Sequence, residues 1–333
     1  MLAGSTSVGS VKSVKKELRV VALLDGRPGH EKQTMGIIHA LQQRCSVEIV
    51  SIKVGRLALL DEALQTIRLL LPGSVGGADD PRIAEADLLI GTGSRTHLPV
   101  LFYKKKYAIP AVTCMTPPWY LQHRFDLCFV PEHDGKREGG NIALTVGAPN
   151  ASIDKREHQA ECGLILLGGV DTKSHRWESR QIVEMVEKIV STDTGKIWTV
   201  SSSPRTPHET VALISALSET YDNIHFFDYR DTPPGWIEKQ YDKNSVVWVT
   251  ADSISMIYEA ITAGCRVGIF PMQWLRENSK FRRNELLLIN KKLVTPFATW
   301  EEGKMNQGDG QNLNEAQRCA ERILAKWWPE NLQ

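Results

Sequence analysis

The sequence predicts an α/β fold of two doubly wound, Rossmann-like domains facing a central cleft. Three observations carry that expectation. Short apolar, β-branched runs recur, each giving way to a polar or Gly-rich loop and then to a stretch of helical periodicity. The pattern stops and restarts around residues 147–160 (GAPNASIDKREHQA), where the composition turns polar as at a domain boundary. Finally, 333 residues exceed what one hydrophobic core usually organises. The expected layout is a disordered tail over 1–16, one α/β domain over 17–150 and a second over 160–312. A helix over 313–330 is expected to pack back across them.

Composition narrows the function classes. Hydrophobic residues make up 42% and charged residues 24%, ordinary values for a soluble globular protein. A net charge of +1 argues against nucleic acid as a partner, despite the local Lys104–Lys106 run. Six cysteines (Cys45, Cys114, Cys128, Cys162, Cys265, Cys319) are scattered, with no CxxC and no clustering with histidine. Reduced, buried thiols and a cytoplasmic compartment are expected. No apolar run approaches the roughly 20 residues of a membrane-spanning helix, and residues 1–16 lack the apolar centre of a secretory signal. Asn150–Ala151–Ser152 matches a glycosylation sequon, which means little without such a signal.

The first strand is Glu17–Leu24. It runs into the breaker-rich turn Asp25–Gly26–Arg27–Pro28–Gly29–His30–Glu31 and a helix from about Glu31 to Arg44. Ser46–Ile52 reads as a strand, Leu57–Leu71 as a strongly apolar helix and Pro72–Asp80 as a Gly-rich connection. Asp87–Ile90 is a strand ending in Gly91–Thr92–Gly93–Ser94–Arg95–Thr96, half of a dinucleotide fingerprint with Thr where the third Gly belongs. It remains a glycine loop that lets backbone approach a ligand. Ile109–Thr113 and Leu127–Val130 are further strands, ending in the rigid Met115–Trp119 loop and the polar Pro131–Asp134.

In the second half, the strand Gly163–Leu167 ends in Gly168–Gly169–Val170–Asp171 and precedes a helix from about Glu178 to Ser191. Lys196–Val200 ends in Ser201–Ser202–Ser203–Pro204–Arg205–Thr206–Pro207, followed by a helix to about Thr220 and the strand Ile224–Phe227. Residues Val246–Phe270 then form strand, helix, strand: Asp252 caps a helix running to about Ala263, and Gly264 ends it. Asp252, Ser255 and Glu259 share one stripe of that helix, while Ile254, Ile257 and Ile261 share another. The polar stripe either lines a cleft or is simply a cap and solvated surface. The final helix, Asn314–Trp328, ends in Trp327–Trp328, which would suit interfacial membrane contact, although core packing is the commoner role.

The chemistry divides between the halves. Gly168, Gly169, Ser203, Arg205, Asp252 and Ser253 follow strand ends expected on one rim, where small residues, hydroxyls and a helix N-terminus suit a diphosphate. Arg205 could pair with it, and Glu259, on the stripe with Ser255, is placed to accept from ribose hydroxyls. Taken singly, Ser201–Ser203 and Thr206 read as an ordinary turn. In the first half His30, Glu31 and Asp25 are three candidates for a general base, with Glu31 equally a favourable first-turn acid. There is no GxSxG, P-loop or HExxH.

Four segments carry a resemblance: Asp25–Gly26–Arg27–Pro28–Gly29–His30–Glu31–Lys32–Gln33, Gly168–Gly169, Ser203–Pro204–Arg205–Thr206–Pro207 and Val249–Thr250–Ala251–Asp252–Ser253–Ile254–Ser255–Met256. They resemble the bacterial and plant family named for mitochondrial fission, over roughly residues 18 to 300. That family is similar in fold to the two-domain GT-B glycosyltransferases, which place the acceptor in the N-terminal domain and the nucleotide-sugar donor on the C-terminal one, with no bound metal. The resemblance implies that Asp252, Ser253 and Glu259 occupy donor positions and that His30 faces the reaction centre. Pro28 is a departure, since the glycosyltransferases usually carry a longer Gly-rich loop there.

The expected function is therefore a metal-independent glycosyltransferase, with a nucleotide-diphosphate sugar as substrate and no resident cofactor. Its acceptor would bear a hydroxyl, for instance on a cell-envelope or lipid-linked glycan. Two alternatives stay open: a nucleotide-sugar epimerase on the same scaffold, and a non-catalytic, membrane-associated scaffold related to organelle fission. The expected location is the cytoplasm or the periphery of a membrane.

Overall fold

The computed structural model of the chain describes residues 17–56, 58–73, 79–305 and 313–332. The tail expected over 1–16, and the centre of the Pro72–Asp80 connection, lie outside the described residues. In chain order the strands are β1 (Leu18–Leu24), β2 (Val47–Lys53), β3 (Leu88–Thr92), β4 (Ala111–Cys114), β5 (Leu127–Pro131), β6 (Ile142–Thr145) and β7 (Gln159–Leu166). They continue as β8 (His175–Arg176), β9 (Ile197–Ser201), β10 (Ile224–Phe227), β11 (Asn244–Thr250), β12 (Arg266–Phe270), β13 (Gln273–Trp274) and β14 (Thr295–Pro296).

Two six-stranded sheets result, ordered β2-β1-β3-β4-β5-β6 and β10-β9-β7-β11-β12-β14, with β8 and β13 as a separate antiparallel pair. The pairings β1–β2, β1–β3 and β5–β6 are parallel, as are the five pairings of the second sheet. Parallel strands are covered on both faces, which explains why they read as continuous apolar runs rather than alternating ones. In the second sheet Ile165, Val200, Trp248 and Phe270 pack with Ile182, Val186 and Ile214 of the helices Ser179–Thr192 and His208–Thr220. Leu164, Val247, Val249 and Ile269 instead join Ile257 and Ile261 of the helix Ile254–Thr262, with Tyr241 of the helix Trp236–Lys243. The expected two-sheet, doubly wound α/β architecture is what the chain adopts.

Both sheets reverse direction next to a central strand. β1 lies between β2 and β3, and β7 lies between β9 and β11. At such reversals the loops leaving neighbouring strands diverge to opposite faces, opening a crevice at the carboxyl ends where α/β proteins take ligands.

The described residues form two compact units, one within residues 1–113, 119–126 and 316–333, the other within 114–118 and 127–315. Strands β5 and β6 fall in the second. In the helix Glu315–Trp327 the buried Ala316, Cys319, Ala320, Ile323 and Leu324 belong to the first unit. There Arg44 Nη2 reaches Glu321 Oε1 at 2.6 Å. Trp328 is buried, so it fills a core position. The helix Leu59–Leu70 turns Leu60, Leu64 and Ile67 outward on one stripe, and Leu71 beyond its end is also exposed.

Several elements differ from the sequence expectation. The first helix starts at Pro28 rather than near Glu31, because proline presets the helical φ and needs no donor at the first position. The helices Ser94–Tyr107, Trp236–Lys243 and Lys280–Asn290, and strand β6, have no counterpart in that expectation. In Ser94–Tyr107 an internal Pro99 and a Lys-rich end hide the helical period. The sequon residue Asn150 is buried, donating to Thr262 Oγ1 at 3.0 Å and accepting from Ser152 N–H at 3.0 Å; it serves the core rather than a glycan. All six cysteines are buried, and burial pushes the Cys265 thiol up to about 12.

Candidate functional site

The second unit gathers a polar cluster at the carboxyl ends of β9, β7 and β11, which are adjacent. Asp252, just past β11, is buried, and its Oδ2 accepts from Arg205 Nη2 at 2.7 Å and from Gly169 N–H at 3.2 Å. Arg205 also donates through Nη1 to the Gly169 carbonyl at 3.1 Å, so one guanidinium clamps two strand ends. The same carbonyl accepts from His175 Nε2 at 3.0 Å, and Ser174 Oγ donates to His175 Nδ1 at 2.8 Å. Ser203 Oγ donates to the Gly168 carbonyl at 2.7 Å, and Gly168 N–H donates to Thr250 Oγ1 at 2.7 Å. Ser253 Oγ lies 3.5 Å from Arg205 Nη2.

Both glycines are required by space. A Cβ on Gly168 would sit 2.3 Å from Asp252 Oδ2 and from Ser253 Oγ, and one on Gly169 would sit 2.0 Å from the backbone carbonyl of Arg205. Backbone cannot swing aside as a side chain can. Gly169→Ala is therefore expected to cost about 1–3 kcal/mol of stability, the usual cost of overpacking, which thermal or urea unfolding would measure.

One buried side-chain atom of the cluster, Asp252 Oδ1, is left without a hydrogen-bond partner among the described residues. A buried carboxylate oxygen without a donor is costly, so the position is one that a ligand or water donor would stabilise. Asp252 is not the helix cap expected from sequence. Ser253 occupies the cap position of Ile254–Thr262, without a side-chain capping bond, because the Asp252 carboxylate is taken by Arg205 and Gly169. Ser255 is exposed and outside the cluster. Glu259 is buried; its carboxylate lies within hydrogen-bonding reach of Tyr241, whose phenol is held well above its ordinary range by burial first and by Glu259 second.

The first unit places its candidates where β1 and β3 adjoin. Asp25 leaves β1 with its side chain buried, and its Oδ2 lies 2.9 Å from His30 Nδ1 in the first turn of the helix Pro28–Gln42. With Nδ1–H donating to the carboxylate, Nε2 is the nitrogen left as an acceptor. Asp25 Oδ1 accepts from Arg27 N–H at 3.1 Å, which fixes the turn. Glu31 closes the same turn from the other side, its Oε1 accepting from Gly26 N–H at 3.0 Å. Gly93 explains the half-fingerprint after β3. Its φ is +92°, and a Cβ there would lie 2.2 Å from His30 Nδ1, so only glycine leaves room for the imidazole.

A second histidine lies beneath. His97 is buried in edge contact with Phe125, ring centroids 5.7 Å apart, and neither ring nitrogen has a partner among the described residues. Burial, and then the nearby His30 charge, lower its pKa from 6.5 to about 4. The unfolded chain therefore binds a proton that the folded chain refuses across that interval. His97 imposes no penalty above about pH 6.5, and stability falls as pH drops toward 4, by about 3 kcal/mol at the bottom of the window. His97→Phe should flatten that acid limb in unfolding measurements at stepped pH.

Of the residues singled out from sequence, the structure joins Asp25 with His30, and Gly168, Gly169, Ser203, Arg205, Asp252 and Ser253 with one another. Sequence reasoning missed Thr250, His175 and Gly93 as parts of these sites, and also Arg27 and Arg95, whose side chains approach Asp25. Thr250 and Gly93 did carry a signal, each standing at a strand's carboxyl end; His175 carried none.

Comparison with known proteins places the chain. The sequence profile of the family described as Mitochondrial fission ELM1 matches residues 28–327, so the chain belongs to that family. No curated protein matches the sequence. Among solved structures, the UDP-GlcNAc 2-epimerase from Methanocaldococcus jannaschii is similar at a TM-score of 0.53 and 15% identity, covering 93% of this chain and 100% of that one. The glycotransferase of kitacinnamycin is similar at a TM-score of 0.53 and 8% identity, covering 96% of this chain and 100% of that one. These likenesses are of fold: two-domain, Rossmann-type and GT-B-like.

Proposed function

We propose that this member of the mitochondrial fission ELM1 family is a metal-independent glycosyltransferase that uses a nucleotide-diphosphate sugar. The second unit holds the donor. Gly168, Gly169, Ser203, Arg205, Asp252 and Ser253 take the diphosphate side, and Glu259 takes the ribose hydroxyls. The observation that carries this reading is the Arg205–Asp252 clamp at the sheet's reversal point, with Arg205 as the cation for the diphosphate and Asp252 Oδ1 as an acceptor for a ribose or sugar hydroxyl of the same donor. Arg205 is half-exposed on its outer side, so it can pair with a diphosphate while still holding Asp252.

In the first unit His30 is the base and Asp25 orients it. Nε2 takes the proton of the acceptor hydroxyl as that oxygen bonds to the anomeric carbon. The bond from that carbon to the diphosphate breaks, and its electron pair leaves with the nucleoside diphosphate, stabilised by Arg205. Glu31 remains a turn-holding residue in this scheme. Calorimetry with a panel of nucleotide sugars, in the presence of EDTA, tests the donor site; a folded protein that binds none of them would refute it.

The epimerase reading draws on a fold neighbour that carries that name. An epimerase turns over donor alone, whereas a transferase needs an acceptor, so product analysis without acceptor separates the two. The scaffold reading would be favoured if His30→Ala and Glu259→Ala left cellular function intact. Among the described residues no helix is long and apolar enough to cross a membrane.

A further inference from the structure

Beside the His30–Asp25 pair, still within the first unit, lies a cavity of about 280 Å³ lined by Arg27, Gly55, Arg56, Glu62, Ser94 and Arg95, with Leu98 at one edge. It sits past the carboxyl ends of three neighbouring strands. Arg27 follows β1, Gly55 and Arg56 follow β2, and Ser94 and Arg95 follow β3. Three guanidiniums therefore share one small polar space with a single carboxylate, that of Glu62.

Their commitments elsewhere are slight. Arg27 Nε lies 4.0 Å from Asp25 Oδ2, at the outer limit of an ion pair, and Arg95 Nη1 donates to the Asp25 carbonyl at a long 3.4 Å. Arg56 has no hydrogen bond or ion pair among the described residues. Like charges gathered around one cavity repel, and Glu62, together with Asp25 at 4.0 Å from Arg27, does not offset all three. Such a cluster is stable when an anion is bound, and the guanidinium fork matches the oxygens of a phosphate group in particular. Arg27 and Arg95 both touch the residue that holds His30, so an anion here would lie close to the base.

We propose that this cavity binds a phosphate group carried by the acceptor, so that the acceptor is a phosphorylated molecule rather than a neutral glycan. The statement that the ligand is the acceptor rests on the glycosyltransferase reading; the phosphate site itself does not. The phosphate could belong to a soluble metabolite or to a lipid headgroup, and the exposed Leu60, Leu64 and Ile67 on the neighbouring helix make the lipid source worth an arm of its own.

The full chain is used throughout. Glycerol 3-phosphate is titrated by calorimetry, and phosphatidylcholine vesicles with and without phosphatidic acid are used in co-sedimentation, each at low and raised salt. Binding in either arm, weakened by salt and lowered about tenfold or more in Arg56→Gln and Arg95→Gln, is the expected result. The arm that responds identifies the source. Absence of binding in both arms, with the protein shown to be folded, overturns the proposal. So does a loss of nucleoside-diphosphate binding in Arg56→Gln equal to the loss of phosphate binding, since the cavity would then belong to the donor. If phosphate binds and no nucleotide does, the site stands and the transferase reading falls.

Discussion

His30→Ala is expected to lower kcat for sugar transfer by about 10²–10⁴-fold, the range that a general base supplies, while leaving nucleotide-sugar affinity unchanged. The split follows from geometry. His30 and Asp25 belong to the first unit, and the donor contacts proposed here all belong to the second. Asp25→Asn should give a smaller but substantial loss. It keeps the shape of the side chain, yet a neutral amide neither enforces the Nδ1–H tautomer nor stabilises the imidazolium formed in the reaction. Steady-state kinetics on variants whose unfolding temperatures match the parent would show this. Full activity in His30→Ala would remove His30 from the mechanism and return Glu31 to consideration.

The second large effect is expected at Arg205. Arg205→Ala removes the cation proposed to face the departing diphosphate, and loss of one such stabilising group typically costs about 10²–10³-fold in kcat. It also strands Asp252, whose buried carboxylate would keep only the Gly169 N–H. Breaking a fully buried pair costs about 3–5 kcal/mol. Arg205 is 43% exposed at its side chain, so water screens part of that interaction and about 2 kcal/mol is expected here. Arg205→Lys should recover some stability through its charge but little activity. An ammonium cannot span both the Gly169 carbonyl and Asp252 Oδ2 as the planar fork does. Comparing the two variants in unfolding and in kinetics separates the structural role from the chemical one.

The buried parallel strands were legible in the sequence because burial on both faces leaves only apolar, β-branched residues, as in Val246–Val249. The site loops were legible for a related reason: polar and Gly residues at those strand ends interrupt an otherwise apolar pattern. What the sequence could not show was who partners whom. Asp252 looked like a helix cap because capping is a local rule, whereas its actual partners, Arg205 and Gly169, lie 47 and 83 residues away. Asp25, His30 and Glu31 looked interchangeable as bases. Only the start of the helix at Pro28 turns His30 back onto Asp25 and sends Glu31 to the Gly26 amide. The arginine cavity was hidden because its three cations come from three separate loops, each unremarkable in isolation.

The cluster around Arg205 and Asp252 is proposed to bind a nucleoside diphosphate without a metal. Isothermal titration of the full chain with nucleoside diphosphates, in EDTA, tests it most directly. Saturable binding of at least one, lost or sharply weakened in Arg205→Ala and unaffected in His30→Ala, is the predicted result. Binding of none by folded protein, or binding indifferent to Arg205, would contradict it.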